Sequence, residues 1–494
     1  MTSSSVPAYR FSKTKVVATV GPASESEEQL RALVQAGVDV FRLNTAHGTS
    51  DWHRAVVARL RQVENEVGRP VGILMDLAGP KLRIGQLAHD PLVLRRGDRV
   101  RLVASERAVG PMDLPISPPE LLQSLQTGDQ VLIADGTVTL RVVESGPQVI
   151  VEATGEGEIR SRQGFNIPHA PTHLTALTEA DRNVVARVAD WPVDFFGLSF
   201  VRSAEDIQAL RQLLEAAGSC AQIVAKIEKA EALGRLDEIL ATADAIMVAR
   251  GDLGIEIPIA EVPVSQKRII AACNRRGLPV ITATQMLESM RTNRRPTRAE
   301  ASDVANAILD GSDAVMLSAE TAVGAFPVEA GQVMHEIAQA TEAHWREYHP
   351  WPARRWRLPS VQAEDHLAAS VRAAGELADA VQARFVVAVT SGGHTALALS
   401  SSRLATPILG ITDNLTTARR MALFWGVLPV FMQVPRRVTE YVQAVESWLL
   451  EHHQARRGER LVFVFGSHWA ESAQNVIIVR EIGSAVHQKG SVVA

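Results

Sequence analysis

Short apolar runs alternate with amphipathic stretches through the first two thirds of the chain. The runs are Lys15–Val20, Val38–Leu43, Val71–Asp76, Asp194–Ser199, Gln222–Ile227, Asp244–Ala249, Pro279–Thr282 and Asp313–Leu317. In each, consecutive positions are apolar rather than every second one, which is the pattern of parallel strands buried on both faces. Between them, Glu25–Ala36, Trp52–Val67, Glu205–Ala217 and Ala260–Arg276 carry apolar residues at helical spacing. Eight strand–helix units with no clear ninth predict an α/β fold closed into a (β/α)8 TIM barrel. A doubly wound open sheet is the structural rival.

One connection breaks the rhythm. More than a hundred residues separate the third run from the fourth, where roughly 30 suffice for a strand–helix–strand unit. Within that interval Leu92–Val103 is broken by Gly97–Asp98, Val131–Val143 is broken by Asp135–Gly136, and Gln148–Ala153 follows. Alternation with such turns predicts a small all-β domain, a β-barrel lid, inserted from about Ile84 to about Leu174. A later stretch, Tyr348–Trp356, is rich in Pro, Trp and Arg and reads as a linker or interface segment. Beyond Ala363, runs at Phe385–Val389, Ile408–Ile411, Val427–Phe431, Leu461–Phe465 and Val476–Val479 predict a separate open-sheet α/β domain. The expected division is a barrel at 1–84 and 175–346, an insert at 85–174, a linker at 347–362 and a C-terminal domain at 363–494.

Polar residues recur at the ends of seven of the eight predicted barrel strands. Arg42 and Asn44 follow the second strand, Asp76 ends the third and Ser199 ends the fourth. Lys226 and Glu228 follow the fifth, Arg250 and Asp252 the sixth, Thr284 and Gln285 the seventh, and Ser318 and Glu320 the eighth. Barrel active sites are assembled from that end of several strands. Alternation puts Lys226 and Glu228 on one side of their strand. If that side faces the axis, an ammonium suited to an anion and a carboxylate suited to a hard cation share one site. A structural ion pair is the competing reading. Asp252, on the next strand, adds the second carboxylate a Mg²⁺ site typically uses. The glycines of Arg250–Gly254 allow close backbone approach to an anion, or make an ordinary turn.

Composition narrows the field without changing this picture. The 494 residues are 46% hydrophobic and 21% charged, with a net charge of −4. That balance fits a globular protein and not a general nucleic-acid binder. Cys220 and Cys273 have no companion cysteines, which suits a reducing compartment and excludes a structural zinc site built on thiolates alone. The first residues carry no apolar signal core, and no run reaches the ~18 apolar residues of a membrane span. The expectation is a soluble, cytoplasmic protein.

Several longer segments together resemble the pyruvate kinase family over nearly the whole chain. They are Thr14–Ser24, Phe41–Asn44, His47–Gly48, Met75–Pro80, Ser199–Phe200, Ala225–Glu228 and Met247–Gly254. Ile281–Met290, Arg294–Glu300, Ser302–Asn306 and Met316–Thr321 complete the set. The resemblance implies transfer of the phosphoryl group of phosphoenolpyruvate to ADP, giving pyruvate and ATP in glycolysis. It implies Mg²⁺, with Mn²⁺ as an alternative, on Glu228 and Asp252. Lys226 and Arg42 would neutralise the transferring group. Gly251, Asp252 and Thr284 would cradle the substrate carboxylate, and Thr284 would pass a proton to the enolate through water. Asn44, His47 and Arg83 match positions near the nucleotide phosphates. The family also implies a homotetramer.

The chain departs from the family at the usual K⁺ pocket. Asn44 and Asp76 remain, but Ala46 stands at the Ser position, Leu77 at the Thr position and Lys81 at the Glu position. A lost ligand oxygen weakens a cation site, and a lysine supplies the same unit charge covalently, so K⁺ is not expected to be required. Ala78 and Gln163 stand where the family has lysines, the second on the nucleotide side. The loop Thr390, Ser391, Gly392, Gly393, His394, Thr395 sits at the family's effector phosphate loop without its usual basic residues, and Gly466–Glu471 lacks the glycine-rich effector pattern. A phosphate-containing effector and a vestigial loop are both open readings. Functional rivals are a metal-dependent aldolase or mutase acting on pyruvate enolate, and an inactive paralogue serving as a sensor.

Overall fold

A computed structural model describes residues 11–80, 82–117, 120–134, 136–168, 175–348, 366–433, 438–465 and 476–484. Eight parallel strands close into a barrel: Lys15–Thr19, Val40–Asn44, Gly72–Asp76, Phe195–Leu198, Gln222–Ile227, Ala245–Ala249, Val280–Ala283 and Ala314–Leu317. Each lies within a residue or two of the expected run, and the barrel prevails over the open sheet because the first strand pairs with the eighth.

Side-chain alternation divides the core in two. Val16, Ala18, Phe41, Leu43, Ile73, Ala225 and Ile227 pack outward against the helices. Val17, Val40, Leu74, Phe195, Val224, Met247 and Ile281 fill the interior. Continuing the inward set by two residues reaches Thr19, Arg42, Asp76 and Lys226, so the condition for a shared Lys226–Glu228 site is met. Ala422 and Leu423 of the C-terminal domain close the opposite end of the same interior cluster.

The strands begin on a repeated device that the apolar pattern does not reveal. Asp39, Asp194, Asp244 and Asp313 each precede an even-numbered strand. Each accepts a backbone N–H from the start of the preceding odd strand: Val16 at 2.9 Å and Ile73, Ile223 and Val280 at 2.8 Å. Each carboxylate also holds an arginine: Arg69, Arg61, Arg211 and Arg403 respectively. Arg403 comes from the C-terminal domain. Buried, it also donates to Asn274 Oδ1 at 2.9 Å and the Gly311 carbonyl at 2.6 Å, and lies over the Trp425 ring. A second arginine of that domain, Arg419, grips both oxygens of Glu64 on the helix Ser50–Val67.

Between the third and fourth barrel strands lie a six-stranded and a two-stranded sheet, running from Leu92 to Asn166 around their own apolar core. Gly97 (φ 89°) and Gly136 (φ 86°) make the two turns that only glycine adopts freely. The C-terminal sheet has five strands in the spatial order Val427–Phe431, Ile408–Thr412, Phe385–Val389, Arg460–Phe465, Val476–Glu481. The last is antiparallel. The Trp-rich stretch beyond Tyr348 and the loop Gly466–Glu471 lie outside the described residues. Among the described residues, no helix is long and apolar enough to cross a membrane.

Candidate active site

At the C-terminal end of the barrel the inward residues of neighbouring strands meet in one buried charge cluster. Lys226 Nζ lies 2.8 Å from Glu228 Oε1, 2.7 Å from Ser199 Oγ and 3.3 Å from Asp76 Oδ1. Arg42 donates through Nε to Asp76 Oδ2 at 2.6 Å and through Nη1 to Thr19 Oγ1 at 3.1 Å. Asp76 is therefore the shared anchor of both cations. Its room comes from Gly197, its register partner on the fourth strand, where a Cβ would sit 2.7 Å from Asp76 Oδ1. Ser199 in turn donates to the Leu77 carbonyl at 2.6 Å, so its lone pairs face the ammonium.

The electrostatics follow from that packing. Burial alone would depress the Lys226 ammonium, but Asp76 and Glu228 outweigh it and push its pKa up to about 12. Burial likewise opposes ionisation of Asp76, yet Lys226 and Arg42 hold it below the usual carboxylate range. Glu228 is pushed up, first by burial and further by the negative Asp252 facing it, against the pull of Lys226. Two carboxylates lining one cleft, one of them harder to ionise because of the other, are a site suited to a cation. Among the described residues no group of three or more acidic, His or Cys side chains is placed to hold a metal ion. The remaining ligands of a cation there must come from water or substrate, as Mg²⁺ prefers.

Asp252 stands in the first turn of the short helix Arg250–Glu256. Arg250 fixes the neighbouring loop, donating to the Thr284 carbonyl at 2.7 Å and to Asp303 Oδ1 at 2.8 Å. Thr284 is held at φ 71° and Gln285 at φ 54°. For a β-branched residue such as Thr284, that left-handed conformation stores strain of the kind found at functional sites. Buried Glu320 braces the same loop, accepting the Leu287 N–H at 3.0 Å and the Ser318 N–H at 2.7 Å. The Gly251 N–H donates to Thr284 Oγ1 at 2.8 Å, and that hydroxyl donates to the Ala283 carbonyl at 2.6 Å. Two expected members of the carboxylate cradle, Gly251 and Thr284, thus bond to one another.

The main domains of this chain match two family models end to end. The one described as "Pyruvate kinase, barrel domain" covers residues 11–331, and "Pyruvate kinase, alpha/beta domain" covers residues 368–480. The chain belongs to the pyruvate kinase family. It is 41% identical to a pyruvate kinase of Agrobacterium vitis over 473 residues, 95% of this chain and 96% of the relative. Pyruvate kinase 2 of Synechocystis is 38% identical over 97% of this chain and 80% of its own length, and a Bacillus licheniformis pyruvate kinase is 37% identical over 96% and 81%. This makes the chain a phosphotransferase.

Membership in the pyruvate kinase family leaves the individual residues to be placed. Asn44 and His47 share the loop after the second strand, Asn44 half-buried and His47 exposed; Asn44 Oδ1 accepts the Ala46 N–H at 3.0 Å. Arg83 sits at the start of the insert, where it donates to the Arg162 carbonyl at 3.0 Å and bridges Gly164. Leu77 is buried, Ala46 exposed, and Lys81 lies outside the described residues. In the C-terminal domain, Thr390 Oγ1 accepts the Gly393 N–H at 2.9 Å, and the Ser391 carbonyl accepts the Thr417 hydroxyl at 2.8 Å. Gly393 (φ 88°) opens the helix His394–Ser401, with Ser391, Gly392 and His394 exposed and Thr395 buried. Sequence reasoning missed Lys229, Glu256 and Asn166, which line the same cleft as Glu228 and Asp252. Lys229 and Glu256 follow quoted motifs closely enough to have been noticed; Asn166 gave no signal of its own.

Proposed function

We propose that this enzyme transfers the phosphoryl group of phosphoenolpyruvate to ADP, with Mg²⁺ held by Glu228 and Asp252, and that it needs no added K⁺. The observation that carries the transfer is Lys226, an ammonium kept charged inside the barrel beside a carboxylate pair and Arg42. Phosphoryl transfer requires little covalent help from the protein; positioning and charge neutralisation supply most of the acceleration. When bound, the divalent ion neutralises phosphoryl and enolate oxygens. Lys226 and Arg42 already share Asp76 as a fixed counter-ion, so they meet the substrate without reorganising. A substrate carboxylate that accepts the Gly251 N–H displaces the Thr284 hydroxyl from it. The Thr284 oxygen then has a lone pair free to take a proton from water while its own hydroxyl proton, turning from the Ala283 carbonyl, passes through water to the enolate carbon. An alcohol is too weak an acid to do so alone.

An aldolase or mutase acting on pyruvate enolate would use similar carboxylates but has no need of a lid or of Arg42. ADP-dependent release of pyruvate from phosphoenolpyruvate, lost on chelating divalent ions, is the expected result. Enolate cleavage without ADP would defeat the proposal.

The K⁺ reading is supported by what surrounds Asp76. Arg42 and Lys226 already neutralise it, Asn44 Oδ1 is engaged by the Ala46 N–H, Ala46 offers no side-chain oxygen, and the Leu77 carbonyl already accepts the Ser199 hydroxyl at 2.6 Å. Lys81 would provide the remaining charge. Turnover in Na⁺ or a bulky organic cation should match turnover in K⁺ within about twofold, since the described pocket residues leave too few free oxygens to order a monovalent ion. Tenfold activation of the pure protein by K⁺ would overturn it. A homotetramer and a phosphate effector at Thr390–Thr395 belong to the same proposal; sedimentation and an activity titration with sugar phosphates test them.

A further inference from the structure

Beside the proposed metal carboxylates, three polar side chains from different parts of the chain converge. Asn166, on the short insert strand Phe165–Asn166, donates Nδ2–H to Glu256 Oε1 at 2.6 Å. Lys229 Nζ lies 2.5 Å from the same Glu256 oxygen and 3.2 Å from Asn166 Oδ1. Glu256 is 6% exposed, and Lys229 also rests over the Phe200 ring.

Each barrel member is tied to a proposed metal ligand. Lys229 follows Glu228 directly in sequence. Glu256 lies one helical turn beyond Asp252 in Arg250–Glu256, and residues four apart share a helix face. Phe200, beneath Lys229, donates its backbone N–H to Glu228 Oε2 at 2.8 Å. Where the insert sits is thus coupled to how the two carboxylates are aimed.

We infer that Asn166, Glu256 and Lys229 form a latch that holds the inserted β domain down over the active site, with Glu256 as the positioning residue. This rests on the reading of Glu228 and Asp252 given above. A buried carboxylate needs its partners; among the described residues the barrel supplies Lys229 and the lid supplies the second donor. Opening the lid therefore leaves Glu256 one hydrogen bond short, which favours the closed state. Hydrogen bonds to a charged group are among the stronger ones, so losing this one should shift the closed-to-open ratio about tenfold or more. The latch costs no substrate contact. It raises the fraction of enzyme competent to bind, and apparent affinity scales with that fraction.

The experiment pairs Asn166→Ala, which alters only the lid side, with Glu256→Gln on the barrel side. In the substrate-free protein, amide hydrogen exchange at residues 163–167 and 250–257 should rise about tenfold in both variants, while the insert's own core at Val131–Leu140 stays protected. KM for phosphoenolpyruvate should rise about tenfold, with kcat falling less than threefold, and the double variant should be little worse than either single one. Exchange and KM within twofold of the parent in Asn166→Ala would overturn the latch. So would increased exchange at 163–167 in one variant and not the other, or full additivity in the double variant. Exchange is read without substrate. A parent protein lacking ADP-dependent pyruvate release would thus defeat the proposed reaction while leaving the latch measurable.

Discussion

Replacing Lys226 by methionine is expected to lower kcat by about three orders of magnitude while changing KM for phosphoenolpyruvate less than tenfold. Removing one preorganised donor from developing charge costs about 10²–10³ in rate, and Lys226 carries a full charge in a site sheltered from water. The fold should survive. Asp76 keeps its bond to Arg42 at 2.6 Å, and Glu228 keeps the Phe200 N–H at 2.8 Å. Glu228, already pushed up by burial and by Asp252, would lose the ammonium that opposes them and take up a proton more readily. Lys226→Arg should rescue little. A planar fork does not fit where one nitrogen lies between Glu228, Ser199 and Asp76 at 2.8, 2.7 and 3.3 Å. Steady-state kinetics beside a thermal midpoint near the parent's checks the claim. A raised KM with kcat unchanged would move Lys226 from the reaction to simple binding.

The residues of this site were readable because a closed barrel converts sequence into position by simple rules. Apolar runs fix the strands, period two fixes which residues face inward, and the strand's end fixes depth. Lys226, Glu228, Arg42 and Asp76 follow from those three rules alone. What they do not give is partnership across strands. Asp76 reads from sequence as the remnant of a cation pocket, whereas in three dimensions it is the counter-ion of both Arg42 and Lys226. Nor could the alternation predict Gly197, whose missing side chain makes that arrangement fit.

Contacts between domains were less legible still. Asn166 and Glu256 are 90 residues apart and meet only because the insert folds back over the barrel. Arg403 looks like one of many surface arginines until the C-terminal domain carries it into the barrel's floor. A charged residue in a long chain declares its burial only through its partner, and periodicity says nothing about which partner that is. The four aspartates before the even strands are an intermediate case. Each directly precedes an even strand, but Asp194, Asp244 and Asp313 look like ordinary strand-boundary polar residues until the N–H groups they accept are known.

That repeated device allows the cost of a strand cap to be separated from the cost of a buried charge. Asp313 and Asp244 each accept one strand N–H at 2.8 Å and one arginine at 3.0 Å. Their surroundings differ: the side chains of the Arg403–Asp313 pair are 4% and 7% exposed, those of Arg211–Asp244 34% and 25%. Removing Asp313 leaves the Arg403 guanidinium inside the interface with only carbonyl-type acceptors, and breaking a buried pair on one side costs about 3–5 kcal/mol. Removing Asp244 lets Arg211 turn to water, so the loss should stay near 1 kcal/mol, most of it the unpaired N–H. Asp313→Ala should therefore lower the thermal midpoint by roughly 10 °C and Asp244→Ala by about 3 °C, for a barrel of this size. Asp313→Asn should fall between them, because its amide oxygen can still accept the Val280 N–H. Adding Arg403→Met to Asp313→Ala should recover part of the loss, since the stranded charge is then gone and an apolar chain can still lie against Trp425. If Asp244→Ala proves as damaging as Asp313→Ala, the cost belongs to the strand cap, and the arginine from the C-terminal domain contributes little to holding the barrel's floor.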